Sequence, residues 1–155
     1  MKRKFVGVVA IGAVVVATVG TNTDFMAQAD VATGLYVGVN QLRQPCGALR
    51  QDARLTAAAQ RHAQDMLANR NFSHAGSDGS SPKARMADAG YQVASSGEIV
   101  FWATGSAATA DAALAFWMGS AGHRAIILNC SFAAAGFATA SDGTMMTAVG
   151  DFASP

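Results

Sequence analysis

Ala135-Gly136-Phe137-Ala138-Thr139-Ala140, then Ser141-Asp142-Gly143-Thr144, then Met145-Met146-Thr147-Ala148-Val149-Gly150-Asp151-Phe152: two apolar runs joined across an Asp-Gly pair. Asp-Gly supplies the backbone conformations of a tight reversal, so the stretch reads as a β-hairpin. Upstream the pattern changes period. Leu55 to Asn69 carries Leu55, Ala58, Ala59, His62 and Met66 on one stripe, the spacing of an amphipathic helix, and Asp52 stands where it can cap it. Val31 to Leu42 has the same three-and-four spacing and is broken by Gln44-Pro45-Cys46-Gly47. Ser81-Pro82 opens a further helix that runs to Ala89 and stops at Gly90: a capping hydroxyl, then Pro where its missing N–H costs nothing. Glu98 to Ala103 reads as a short apolar strand. Ser106 or Thr109 starts a helix through Trp117, and Ser120 starts another through Leu128. Helices, one strand, helices and a closing hairpin predict an α+β domain, a small antiparallel sheet covered by helices.

The N-terminus predicts export. Lys2, Arg3 and Lys4 precede an apolar run from Phe5 to Gly20, and Ala27-Gln28-Ala29 has the small-x-small pattern of a cleavage site. A retained anchor needs roughly 20 apolar residues, more than this run offers. The expectation is a signal peptide over 1–29, a single domain over 30–155, and no membrane span after cleavage. Cleavage also changes the charge. The whole chain has 11 bases and 10 acids; losing Lys2, Arg3, Lys4 and Asp24 leaves eight bases and nine acids. A near-neutral chain without clustered Lys or Arg excludes a nucleic-acid partner, and a monomer is expected. Its localisation is expected to be secreted, extracellular or at the cell envelope. In that setting Cys46 and Cys130, the two cysteines of the chain, read as one disulfide. Two buried free thiols are the alternative.

The ionisable side chains suited to chemistry are few: His62, His74, His123 and one glutamate, Glu98. A carboxylate entering an apolar strand is costly to bury unless paired, so Glu98 is either exposed at the start of the strand or held by a partner. His74 lies in a polar loop and His123 near a helix start. Two imidazoles and a carboxylate suffice for zinc or another divalent cation with an open fourth position. They also suffice for general acid–base work. His62 falls on its helix's apolar stripe and reads as structural. Gly119-Ser120-Ala121-Gly122 is not a G-x-S-x-G nucleophile elbow, because no strand precedes it. Trp102, Phe116 and Trp117 read as core, since aromatic side chains bury much area.

Leu55-x-x-x-Ala59-x-x-x-Ala63-x-Asp65-Met66, Phe72-Ser73-His74, Ser80 to Tyr91 with Arg85 and Gly90, Gly97-Glu98, Trp117-Met118-Gly119-Ser120-Ala121-Gly122-His123-Arg124 and Gly136-Phe137 follow one another in an order that resembles the bacterial branch of the CAP superfamily. That superfamily takes in cysteine-rich secretory proteins, antigen 5 and pathogenesis-related 1 proteins, and is also called the SCP-like extracellular domain. The resemblance covers about residues 33–152. It implies a three-layer α-β-α sandwich around a small central antiparallel sheet, with a cleft to which His74, Glu98, His123 and Ser120 contribute. Two departures stand out. The strand motif is Gly97-Glu98-Ile99 where the family usually has Gly-Glu-Asn, and Ser120 stands where eukaryotic members carry a second Glu. The readings that follow are a binding module for a small or lipidic ligand, a divalent-metal or acid–base hydrolase using the same cleft, and a structural or antigenic envelope protein with a vestigial cleft.

Overall fold

The computed structural model describes residues 22–155; most of the expected signal peptide lies outside them. Helix α1 (Asn22–Leu42) is followed by a 3-10 turn (Gln44–Cys46), strand β1 (Arg50–Gln51), helices α2 (Ala53–Asn69) and α3 (Pro82–Asp88), strand β2 (Ser95–Thr104), helices α4 (Ala110–Gly119) and α5 (Ala121–Ile127), and strands β3 (Ala134–Ser141) and β4 (Met145–Ser154). The caps follow from the sequence. Asp52 accepts from the Arg54 N–H, Ser81 from Ala84 and Thr109 from Ala112, each satisfying one orphan donor of a first helical turn. Ser120 precedes α5 without a side-chain capping bond. Gly90 and Gly143 take φ of 88° and 86° where the chain leaves α3 and turns between β3 and β4, a region that favours glycine. Among the described residues no helix is long and apolar enough to cross a membrane.

The strand order is β1-β3-β4-β2. β3, β4 and β2 are antiparallel, and β1 pairs parallel to β3, with Arg50 opposite Ala134. The sheet is therefore mixed, which corrects the expectation of an antiparallel one. β1 is two residues long, too short for any periodicity. It forms because the Arg50 and Asp52 N–H groups find the carbonyls of Ala133 and Ala135.

The alternating faces of the strands divide the core. On one side Ile99, Phe101, Phe137 and Phe152 pack against Leu35 and Val39 of α1, Trp117 of α4 and Ile127 of α5. On the other, Val100, Ala138 and Val149 meet Ala59, Ala63 and Met66 of α2, and Ala134 and Ala153 meet Leu55, Met86 and Tyr91. This is the expected α-β-α sandwich. α2 rides close on β3 because Gly136 has no side chain: a Cβ there would run into the backbone of Leu55 and Thr56. Trp117 is buried as expected and donates its indole N–H to the Val100 carbonyl at 2.9 Å. Trp102 and Phe116 are not core: they are 49% and 52% exposed. Trp102 lies on β2, at the sheet's edge.

Cys46 and Cys130 form the expected disulfide, with Cα atoms 4.9 Å apart. Beside it the buried Arg43 guanidinium donates to the carbonyls of Ile127, Asn129 and Phe132. Both ties hold the chain after α1 to the loop before β3.

Candidate functional site

β2 is an edge strand, and Glu98 points from it to the α2 side, on the face shared with Val100 and Trp102. The loop after α2 lies along that face, with Phe72 against Trp102 and His74 against Glu98. The His74 Nδ1–H donates to Glu98 Oε1 at 2.8 Å, and Arg85 of α3 donates to Oε2 at 2.6 Å. The Glu98 and Arg85 side chains are each 1% exposed, whereas that of His74 is 52% exposed. A buried carboxylate with both oxygens on charged or chargeable donors is compensated, so Glu98 takes the paired alternative. Arg85 also donates to the Ser80 and His74 carbonyls, so one guanidinium shapes the loop and neutralises the glutamate.

His62, behind the loop, is wholly buried, as the structural reading expects. Its Nε2–H donates to the Ser73 carbonyl at 2.9 Å, fixing the residue next to His74. Nε2 also lies 3.8 Å from Glu98 Oε1. Burial lowers the His62 pKa against the opposing charge of Glu98 and so disfavours the charged ring. The hydrogen bond to Glu98 raises the pKa of His74 against a smaller opposing effect of burial.

His123 stands on α5, in the helical layer on the other side of the sheet. Burial and the charge of His74 lower its pKa. Its ring centroid lies 5.6 Å from that of Phe116, and its Nδ1 is buried without a hydrogen bond. His74 and Glu98, 24 residues apart in the chain, are thus in contact, and His123 lies within reach of the His74 charge. Ser120 sits at the α4–α5 junction, three residues before His123.

Asp151, absent from the sequence-based set, completes the cluster. It stands opposite Glu98 in the β2–β4 ladder, fully buried, and neither carboxylate oxygen has a donor. Burial, then the neighbouring Glu98 charge, push its pKa well above the ordinary carboxylate range. Two carboxylates offer each other only acceptors; a proton on Asp151 turns it into a donor toward Glu98. The signal was present in the sequence: an acid inside an apolar strand, the feature that singles out Glu98.

A three-ligand metal set does not fit this geometry. Both oxygens of Glu98 are engaged, and among the described residues no three of His, Cys, Asp and Glu form a group that could hold a metal ion. Glu98 orients His74 and does not stand as a ligand. What an ion would find is two imidazoles, fewer than the three protein ligands of a catalytic zinc.

A sequence model of the cysteine-rich secretory protein family, CAP, matches residues 38–152. No curated protein matches the chain. Among solved structures it is similar to an extracellular protein containing a SCP domain from Bacillus anthracis, at 22% identity and a TM-score of 0.75, over 90% of this chain and 45% of that one. It is also similar to an outer surface protein from Borrelia burgdorferi, at 19% and 0.69, over 87% and 95%. A cysteine-rich secretory protein from Staphylococcus aureus gives 16% and 0.67, over 83% and 39%. The chain thus spans less than half the length of the Bacillus and Staphylococcus proteins. The family match runs over well more than half of this sequence, and the chain belongs to the cysteine-rich secretory protein family, CAP.

Proposed function

We propose that the chain is an exported binding protein whose cleft, between His74 on one wall and His123 on the other, takes a small ligand. The observation that carries this reading is the buried Arg85–Glu98–His74 chain. Two buried charges contribute little net stability over apolar residues of similar volume. Here they end on a half-exposed imidazole with Nε2 turned outward, which is how a contact group is held in place. A lipidic ligand is the less favoured form. The cavity between α1 and α2 sets Gln51, Gln60 and Thr139 beside Ala32, Phe137 and Ala138, a mixed lining that does not select an acyl chain. Gly34 and Gly38 bring α1 tight against Ala110 and Leu114 of α4.

The test is to isolate the exported protein from its host, extract it, and identify co-purified small molecules by mass spectrometry. The extracted compound, added back, is expected to move the imidazole NMR signals of both His74 and His123. An empty protein whose two histidines respond to no extract counts against the reading. Sequencing the same material is expected to find Asp30 at its N-terminus.

A hydrolase is the second reading, and one observation favours it. The hydrogen bond to Glu98 raises the pKa of His74, while burial, then the charge of His74, lowers that of His123, and a pair driven apart in this way is suited to acid and base roles. A bell-shaped pH–rate profile whose two limbs vanish separately in His74→Gln and His123→Gln would establish it.

A further inference from the structure

Two exposed aromatic rings remain unexplained by the binding site just described. Trp102 shows about half its surface to solvent, although Glu98 and Val100 before it on the same face of β2 are buried. Phe72 stacks on it at 4.6 Å with the planes 20° apart. One face of the indole is therefore occupied by Phe72, and the exposed half of the side chain is left for a ligand. Phe72 and His74 belong to the same loop, and Trp102 and Glu98 to the same face of β2, four residues and about 13 Å apart. The platform and the imidazole thus form one continuous wall, and Phe116 against His123 repeats the pairing of an aromatic and an imidazole on the other.

The surroundings select the ligand. On the wall that carries Trp102 two guanidinium groups are paired with carboxylates: Arg70 with Asp142 at 2.6 Å and Arg85 with Glu98. Neither is left unpaired for a phosphate or carboxylate group stacked at Trp102. An added peptide strand is disfavoured because the Val100 carbonyl, midway along β2, already accepts from Trp117. A flat indole beside polar groups suits a neutral ring with one apolar face and a hydroxylated rim.

We propose that the exposed half of Trp102 is a sugar platform of the cleft, which stacks one pyranose ring of a neutral oligosaccharide while a neighbouring ring reaches His74. This deepens the binding reading above and rests on it.

The experiment titrates the exported protein with triacetylchitotriose and with maltotriose, following tryptophan fluorescence and the His74 imidazole signal; decanoate is the control probe. One saccharide is expected to give a saturable blue shift of the solvent-exposed indole, with His74 moving in step. Trp102→Ala is expected to bind about tenfold more weakly or worse, and Trp102→Phe to keep part of the affinity. An unchanged thermal transition in Trp102→Phe guards against a folding artefact. Saccharide binding that survives Trp102→Ala overturns the proposal, as does no response to either saccharide. If decanoate or a host extract moves His74 and His123 while the saccharides do nothing, the cleft binds a ligand and only the sugar platform falls. If no probe moves any of the three residues, both readings fall.

Discussion

Glu98 takes its meaning from three neighbours that the sequence does not place beside it. Arg85 and His74 hold its oxygens, and Asp151 faces it across the ladder. The histidine titrations should separate accordingly. By NMR, His74 is expected to keep its proton above the ordinary imidazole value near 6.5 and His123 to lose its proton below it. Glu98→Gln is expected to lower the His74 value and to cost up to about 3–5 kcal/mol in urea unfolding, because Arg85 loses its buried partner. A His74 titration unmoved by that change would refute the assignment. Asp151 carries a sign of its own. Its pKa is raised in the folded state, so the native protein holds a proton that the unfolded chain releases in the ordinary carboxylate range. Stability therefore falls as pH rises from that range toward the folded value. Asp151→Asn, which keeps a donor toward Glu98, should flatten this fall. An unaltered pH–stability curve would mean that Asp151 is ionised.

At the scale of elements, much was legible. Asp52, Ser81 and Thr109 cap the helices that their positions announce, and Gly143 turns the hairpin. These are local signals, carried by a few adjacent residues. Departures came where pairing is remote. β2 starts at Ser95, three residues before its apolar run, because the β4 partner extends to Ser154. β1 exists only because β3 lies beside it. Gly136 is an element-scale device: it lets α2 cross β3 in backbone contact. Gly136→Ala is expected to lose about 3 kcal/mol or more, since the obstruction is main chain and not a movable side chain. Thermal unfolding measures this, and a transition shifted by only a degree or two would mean that α2 can lift without cost.

For the whole molecule, the Cys46–Cys130 bond closes 84 residues, and restricting so long a loop in the unfolded chain is worth about 4–5 kcal/mol. Reduction should lower the urea midpoint by that equivalent with little loss of native structure, because Arg43 still ties the same two loops. A reduced protein as stable as the oxidised one would contradict this. The sequence by itself determined the α+β class, the helix ends, the hairpin and the chemistry-bearing residue types, because periodicity, capping and turn chemistry act within a few residues. The tertiary structure alone decided that β1 runs parallel, that Trp102 and Phe116 face solvent, and that Asp151 joins Glu98. Those outcomes depend on which strand lies at the edge and which residues meet across the ladder, contacts between positions tens of residues apart that no local pattern encodes.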